Sequence, residues 1–378
     1  MTETKAIQLF SPYFRTEECL AQIRECLDKG WTGLGFKTIE LEKNWNEYTG
    51  HTHSHFLNSA TVGLNLALEI FKEDGNWSED SEVITTSLTF VSTNHAIVLN
   101  NLKPVFADVD QYLCLDPKEV EKKITEKTKA VIFVGIGGNA GQYKAIVELC
   151  KKHNLKLILD AAHMAGTRVD DKFPGLLADV TVYSYQAVKN MPTGDSGMIC
   201  FSNQSFDEIA RKKCWLGINK DTFARTSSQG AYKWMYDVEY AGYKYHGNSI
   251  MAGIGLVQLK YLEQDNAYRR QVCKWYDEGF KDAKFETVKV APDCESSRHL
   301  YQILVNNRDE LMLALNECGI FPGVHYRDNT EYKMYSHGKG QCPNAHKYSD
   351  MLLSLPLHMR LSKDDVDYII ATVTKYAK

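Results

Sequence analysis

The chain's 378 residues are enough for a large buried core and, at roughly one domain per 150 residues, for two domains. Its 44 Lys plus Arg against 48 Asp plus Glu leave a net charge of -4 with no basic tract, which excludes nucleic acid as an expected partner. The opening MTETKAIQLFSPYF has no basic stretch leading into an apolar run with a cleavage site, and no uninterrupted apolar run of about 18 residues occurs, so a soluble cytoplasmic protein is expected. Ten cysteines, Cys19 to Cys342, show no paired CxxC spacing and read as reduced thiols, not as a zinc site or disulfides.

In chain order, NSATVGLNLALEIF sets small residues ahead of a helix-like run. The exposed N–H groups of a helix start favour an anion, which makes Ala60 and Thr61 candidates for holding a phosphate; a plain helix cap is the rival reading. Short apolar runs then alternate with amphipathic stretches: EVITTSLTF, KPVFADV, KAVIFVGI, LKLILDAAH, DVTVYSY and GMICF. Such runs suit strands of a mainly parallel sheet buried on both faces, with helices on the crossovers. Between two of them, IVELCKKHN puts Ile146, Leu149 and Cys150 at helical spacing, and an α/β fold is expected. The texture then changes to a long helix-like segment, GLVQLKYLEQDNAYRRQVCKWYDEGF. Beyond it HLYQILV reads as a strand, DELMLALNECG as a helix closed by Gly319, and DDVDYIIATVTKYA as a final helix. These patterns divide the chain into a catalytic unit over 1–255 and a small α+β unit over 256–378.

Two residues carry the chemistry. Asp160 ends an apolar run that reads as a buried strand, and a carboxylate there needs a partner. It reads either as a cap or loop acid satisfying backbone donors, or as the group that keeps a pyridine nitrogen protonated so that the ring acts as an electron sink. Lys189 stands past the next apolar strand and before a glycine-containing turn, one α/β unit further on. A solvated surface lysine is the bland reading. Both side chains can nevertheless emerge at the carboxyl edge of the sheet, where open α/β sheets keep their ligands. A partly desolvated lysine near other cations has a lowered pKa, as a Schiff-base nucleophile and proton shuttle requires. Ser184, just ahead of it, is within reach of a phosphate.

The segments NSATVGLNLAL, EVITTSLTFVSTNHAIV with KPVFADVD, LILDAAHMAG, YSYQAVKNMPTGDSG, GYKYHGNSIMAGIGLVQL, SSRHLYQI, GVHYR and LSLPLH follow one another in register. In these segments the chain resembles the DegT/DnrJ/EryC1/StrS aminotransferases over nearly its whole length. The resemblance implies a fold-type-I enzyme dependent on pyridoxal 5'-phosphate (PLP), with a mainly parallel central sheet, helices on both faces and a smaller C-terminal α+β domain. It also implies a homodimer whose subunits share each site. Lys189 then matches the Schiff-base lysine that later moves protons between the cofactor's C4′ and the sugar carbon, and Asp160 the partner of the pyridine nitrogen. His163 matches a Gln or His beside the cofactor hydroxyl, Phe90 an aromatic stacked on the ring, and Ala60, Thr61 and Ser184 phosphate contacts. On the substrate side the resemblance points to His325, Tyr326, Trp31 and His246. No metal is implied.

Some positions depart from the family's commoner pattern. Gly242, Tyr243, Lys244, Tyr245 and His246 stand where many members read Gly-Tyr-Asn-Tyr-Arg, the Asn reaching the partner subunit's phosphate. Lys244 is the candidate to do so here as a cation, with Asn248 as a second possibility; a Lys at this position looks like the subgroup of the 4-amino-arabinose-forming aminotransferase. The usual Gly-Glu-Gly-Gly reads Gly194, Asp195, Ser196 and Gly197, and Tyr326 is followed by Arg327 where Pro is frequent. The implied reaction moves an amino group from L-glutamate to a keto-sugar carried on a nucleotide, an NDP-4-keto-6-deoxy-sugar in amino-sugar biosynthesis for a surface polysaccharide or glycoconjugate. His163 and the Lys244 segment favour C4. Amination at C3, amination of a ketocyclitol, and a non-catalytic regulatory member are the rival readings. A lysine at position 189 argues against the related sugar dehydrases, which carry His there.

Overall fold

The computed structural model describes residues 6–219 and 235–378. The start of MTETKAIQLFSPYF and residues 220–234 of the expected 1–255 unit lie outside these. A seven-stranded sheet runs in the order His53–Leu57, Gly197–Phe201, Val180–Ser184, Lys156–Asp160, Thr128–Val134, Glu82–Thr86 and Lys103–Ala107. From Val180–Ser184 to Lys103–Ala107 the neighbours are parallel, while Gly197–Phe201 runs antiparallel to the strand on either side. The apolar runs read from the sequence are therefore the strands of a mainly parallel sheet.

Those runs are continuously apolar because successive side chains point to opposite faces and both faces are covered. Along Thr128–Val134, Ala130 and Ile132 join a core with Leu64, Phe71 and Ile97, whereas Val131 and Phe133 join another with Trp45, Tyr143 and Ile146. Helices Ala60–Asp74, Val91–Leu99 and Gln204–Cys214 supply the first face; Phe36–Thr49 and Tyr143–Lys152 supply the second.

The long helix spans Ser249–Gly279 and starts ahead of the segment read from the sequence. Its cap is Asn248, whose side chain accepts from the Met251 amide at 2.9 Å. Gly253 and Gly255, poor helix formers, are where other helices come close: a Cβ at Gly253 would lie 3.1 Å from Gln22 Cβ, and one at Gly255 3.0 Å from Leu41 Cδ2. Beyond the helix, Glu286–Thr287, Tyr301–Leu304 and Leu352–Leu355 form an antiparallel sheet covered by helices Arg308–Glu317 and Lys363–Tyr376. Gly319, with φ +76°, takes the left-handed conformation that closes the first of these helices. This third core includes Ile7 from the other end of the chain, paired in parallel with Ile320.

Candidate active site

Parallel strands deliver their carboxyl ends to one edge, and there Asp160 and Ser184 are each the last residue of a strand. The loop after Asp160 carries His163, and the loop after Ser184 carries Lys189. Together they wall a cavity of about 420 Å³. Ala60, Thr61 and Phe90 line it from two helix starts, and His325 and Tyr326 from the C-terminal part of the chain.

The first turn of Ala60–Asp74 is held by Ser59, whose Oγ accepts from the Val62 amide at 3.4 Å. The first amides of such a turn have no acceptor within the helix and could hold an anion. The turn can lie beside Ser184 because Gly197, paired with Ser184 in the sheet, has no side chain: a Cβ there would sit 2.7 Å from the Ala60 nitrogen. Serine replaces the family's second-last glycine at Ser196, and its buried hydroxyl is taken up by Thr193 Oγ1 at 2.6 Å.

Asp160 is buried, and burial raises its pKa above the ordinary carboxylate value. Thr93 Oγ1 donates to it at 2.7 Å and the Ala162 amide at 3.2 Å. Both donors are neutral; among the described residues the opposite charge that bears on this carboxylate is that of Lys189, which, after the two hydrogen bonds, also pulls the pKa back down. Burial lowers Lys189 to about 8, against the opposing pull of Asp160. His163 is kept neutral, first by burial and then by the charge of Lys189. The Gly137 amide donates to its Nδ1 at 3.1 Å, so the proton sits on Nε2, 3.1 Å from the Tyr326 hydroxyl. Burial raises the Tyr326 pKa and lowers His325 to about 4, leaving both uncharged at neutral pH.

Three expected residues are not part of this cavity within one chain. Lys244 is exposed, with Nζ 3.4 Å from the centroid of the Trp215 ring. His246 donates from Nδ1 to the Gly247 carbonyl at 2.7 Å and packs against Trp215 at 4.6 Å. Trp31 donates from Nε1 to the Leu34 carbonyl at 2.7 Å. Lys244 and His246 follow the edge strand His53–Leu57: Asn58 Nδ2 donates to the Lys244 carbonyl at 3.0 Å, and Leu57 bridges to His246. Asn248, the alternative to Lys244, has its side-chain oxygen engaged as a helix cap.

Sequence reasoning overlooked Thr93, Gly137 and His299. Thr93 sits two residues inside the helix capped by Phe90, and His299 lies within SSRHLYQI, yet neither carries a local signal. The chemistry of the donor set fits pyridoxal phosphate. A buried carboxylate with only neutral hydrogen-bond donors among the described residues suits a protonated ring nitrogen, and a helix N-terminus lining the cavity suits a phosphate.

The model described as the DegT/DnrJ/EryC1/StrS aminotransferase family matches residues 14–374. The chain belongs to that family. The spore coat polysaccharide biosynthesis protein SpsC of Bacillus subtilis is 34% identical over 375 residues, which span 96% of this chain and 95% of SpsC. The aminotransferase TlmJ from Streptoalloteichus hindustanus superposes with a TM-score of 0.90 at 30% identity, covering 98% of each chain. The putative sugar aminotransferase Spr1654 from Streptococcus pneumoniae, solved in PLP and pyridoxamine-phosphate (PMP) forms, gives 0.90 for the latter at 29% identity, over 97% of this chain and 98% of that one. This DegT/DnrJ/EryC1/StrS member is accordingly a PLP-dependent sugar aminotransferase.

Proposed function

We propose that the enzyme transfers an amino group from L-glutamate to an NDP-4-keto-6-deoxy-sugar, supplying an amino sugar for a surface polysaccharide or glycoconjugate, and that it works in the cytoplasm as a homodimer. The observation that carries the reading is the pairing, on one sheet edge, of a buried carboxylate at Asp160 with a lysine brought down to about 8 at Lys189. Polysaccharide biosynthesis, the process named for SpsC, supports the sugar product.

In this reading Asp160 holds the ring nitrogen, Phe90 covers one face of the ring, and Ser184 with Ala60 and Thr61 holds the phosphate. When bound, the cofactor supplies an electron sink for the carbon whose proton is removed. Lys189 does the proton work: its Nζ takes the proton from the donor's α-carbon and later delivers one to the sugar carbon that was the ketone. His163 offers its Nε2–H to Tyr326, which leaves the Tyr326 hydroxyl proton free to be donated into the cavity. That hydroxyl and His325 are the groups assigned to the sugar. Lys244 and His246 reach the partner subunit's site, with Lys244 adding positive charge at the phosphate. Preference for C4 over C3 rests on His163 and the Lys244 segment.

The test is product mass spectrometry with a panel of dTDP-, UDP- and GDP-linked 3- and 4-keto-sugars and ketocyclitols, with glutamate as donor. Turnover confined to 4-keto nucleotide sugars is the expected result. Turnover of ketocyclitols alone overturns the nucleotide-sugar reading, and turnover of 3-keto-sugars alone overturns the position.

A further inference from the structure

Two imidazoles face each other in the cavity wall, the ring centroids of His163 and His299 standing 4.2 Å apart. Their hydrogen bonds fix opposite tautomers. His163 accepts at Nδ1 from a backbone amide, so its proton is on Nε2. For His299 the deciding group is Asn190, the residue after Lys189. Its side-chain nitrogen donates to the Ser297 carbonyl at 2.7 Å and to Asn266 Oδ1 at 2.8 Å. A backbone carbonyl only accepts, which fixes the orientation of the Asn190 amide. Asn190 Oδ1 therefore faces His299 Nδ1 at 3.0 Å, and Nδ1 must be the donor.

The neutral His299 ring then carries a lone pair on Nε2. Among the described residues no hydrogen bond engages that nitrogen, and His299 lines the cavity together with Lys189. The ring is held from behind by Phe10, stacked at 5.4 Å and 11°, and its amide donates to the Gly137 carbonyl at 3.0 Å. The titratable groups that bear on it are His163, Lys189, His325 and, from the long helix, Arg269. None is an acid, and together with burial they keep the imidazole uncharged, so the lone pair persists at neutral pH.

We propose that His299 is a positioning residue for Lys189: while the lysine amine is free of the cofactor, its ammonium donates a hydrogen bond to His299 Nε2 and is held ready to deliver its proton. No covalent bond changes in this contact, and the proton remains on Lys189 until the substrate carbon receives it. Asn190 serves the same end, since the clamp that fixes the His299 tautomer also anchors the backbone next to Lys189. The inference rests on the reading of Lys189 as proton carrier and adds the group that holds it between the two half-reactions.

Nitrogen-15 spectra of histidine-labelled holoenzyme loaded with pyridoxamine phosphate test it, with His299 assigned by the resonance lost in His299→Phe. The expected spectrum has the His299 proton on Nδ1, with an Nε2 resonance displaced toward the hydrogen-bonded position in the wild type and not in Lys189→Met. A proton on Nε2, or the same Nε2 resonance in both proteins, overturns the proposal. If His299→Phe fails to fold, an Asn190→Leu protein serves for the assignment, because loss of the Asn190 acceptor shifts the His299 Nδ1 resonance. Borohydride reduction of the wild-type PLP holoenzyme and peptide mapping separate the two ideas. Label on a lysine other than Lys189 removes the reading of Lys189 itself; label on Lys189 with an unresponsive His299 removes only the role of His299.

Discussion

Gly197 and the Ala60 amide are close enough that a methyl group could not stand between them: a Cβ on Gly197 would lie 2.7 Å from that nitrogen and 2.8 Å from the Ser59 carbonyl carbon. The contact joins the first residue of a strand to the first turn of a helix that lines the cavity. Gly197→Ala is expected to cost about 1–3 kcal/mol of stability, because backbone, not a flexible side-chain tip, must move. PLP should be retained more weakly in proportion to the displaced helix turn. Thermal denaturation and a cofactor titration check both effects. A variant as stable and as tight as the wild type would show that the turn is free to adjust.

The lowered pKa of Lys189 fixes a pH dependence. The nucleophile is the neutral amine, so with a pKa of about 8 capture of PLP by cofactor-free protein should speed up as pH rises toward 8 and level off above it. An unshifted lysine, at 10.5, would keep gaining over the whole range. Stopped-flow absorbance follows the reaction. Asp160→Asn removes the charge that raises the Lys189 pKa, so its midpoint should fall below that of the wild type.

Asp160→Asn has a second expected outcome in turnover. The amide keeps the shape of the carboxylate and can still meet Thr93, but it cannot hold a proton on the ring nitrogen by charge. The variant should bind PLP and lose most of its activity, on the order of a hundredfold or more. Near-normal turnover would remove Asp160 from its role.

How far this was legible beforehand depended on where each residue's partners lie. The parallel strands were readable because burial on both faces leaves unbroken apolar runs such as KAVIFVGI, and Asp160 and Lys189 stood out because the first closes an apolar run with a charge and the second follows the next run. The edge strand His53–Leu57 carries no such run. Two of its polar groups are met by residues outside the strand: His55 Nδ1 donates to Glu42 at 2.9 Å, and the Ser54 carbonyl accepts from Arg211 at 2.6 Å. Thr93 and His299 escaped for the same reason. The meaning of Thr93 lies in its bond to Asp160, and that of His299 in Asn190, pairings that only the folded chain creates.

For Lys244 the expected behaviour is complementation. A Lys244→Ala protein should hold PLP about tenfold less tightly, the loss of one charge-assisted hydrogen bond. If the lysine acts in trans, mixing Lys189→Ala with Lys244→Ala subunits regenerates one site with both lysines and one with neither. At a PLP concentration too low to load Lys244→Ala, activity should then return only in the mixture. Mixed dimers seen by native mass spectrometry but as inactive as the parents would show that Lys244 does not cross the interface. Full activity of Lys244→Ala alone would shift attention to His246.

The pairing of Ile7 with Ile320 bears on how the protein is made. A chain leaving the ribosome has Asp160 and Lys189 early, but the cavity wall formed by His299, His325 and Tyr326 comes more than a hundred residues after Lys189. The Phe10 ring that backs His299 is made long before that histidine, and its neighbouring strand waits for residue 320, its partner in the parallel pair. A nascent chain stopped short of that point would carry the lysine without the surroundings that tune it. Competence to hold the cofactor as the folded enzyme does is therefore acquired only once His299, His325 and Tyr326 have been made and have closed over the residues that precede them.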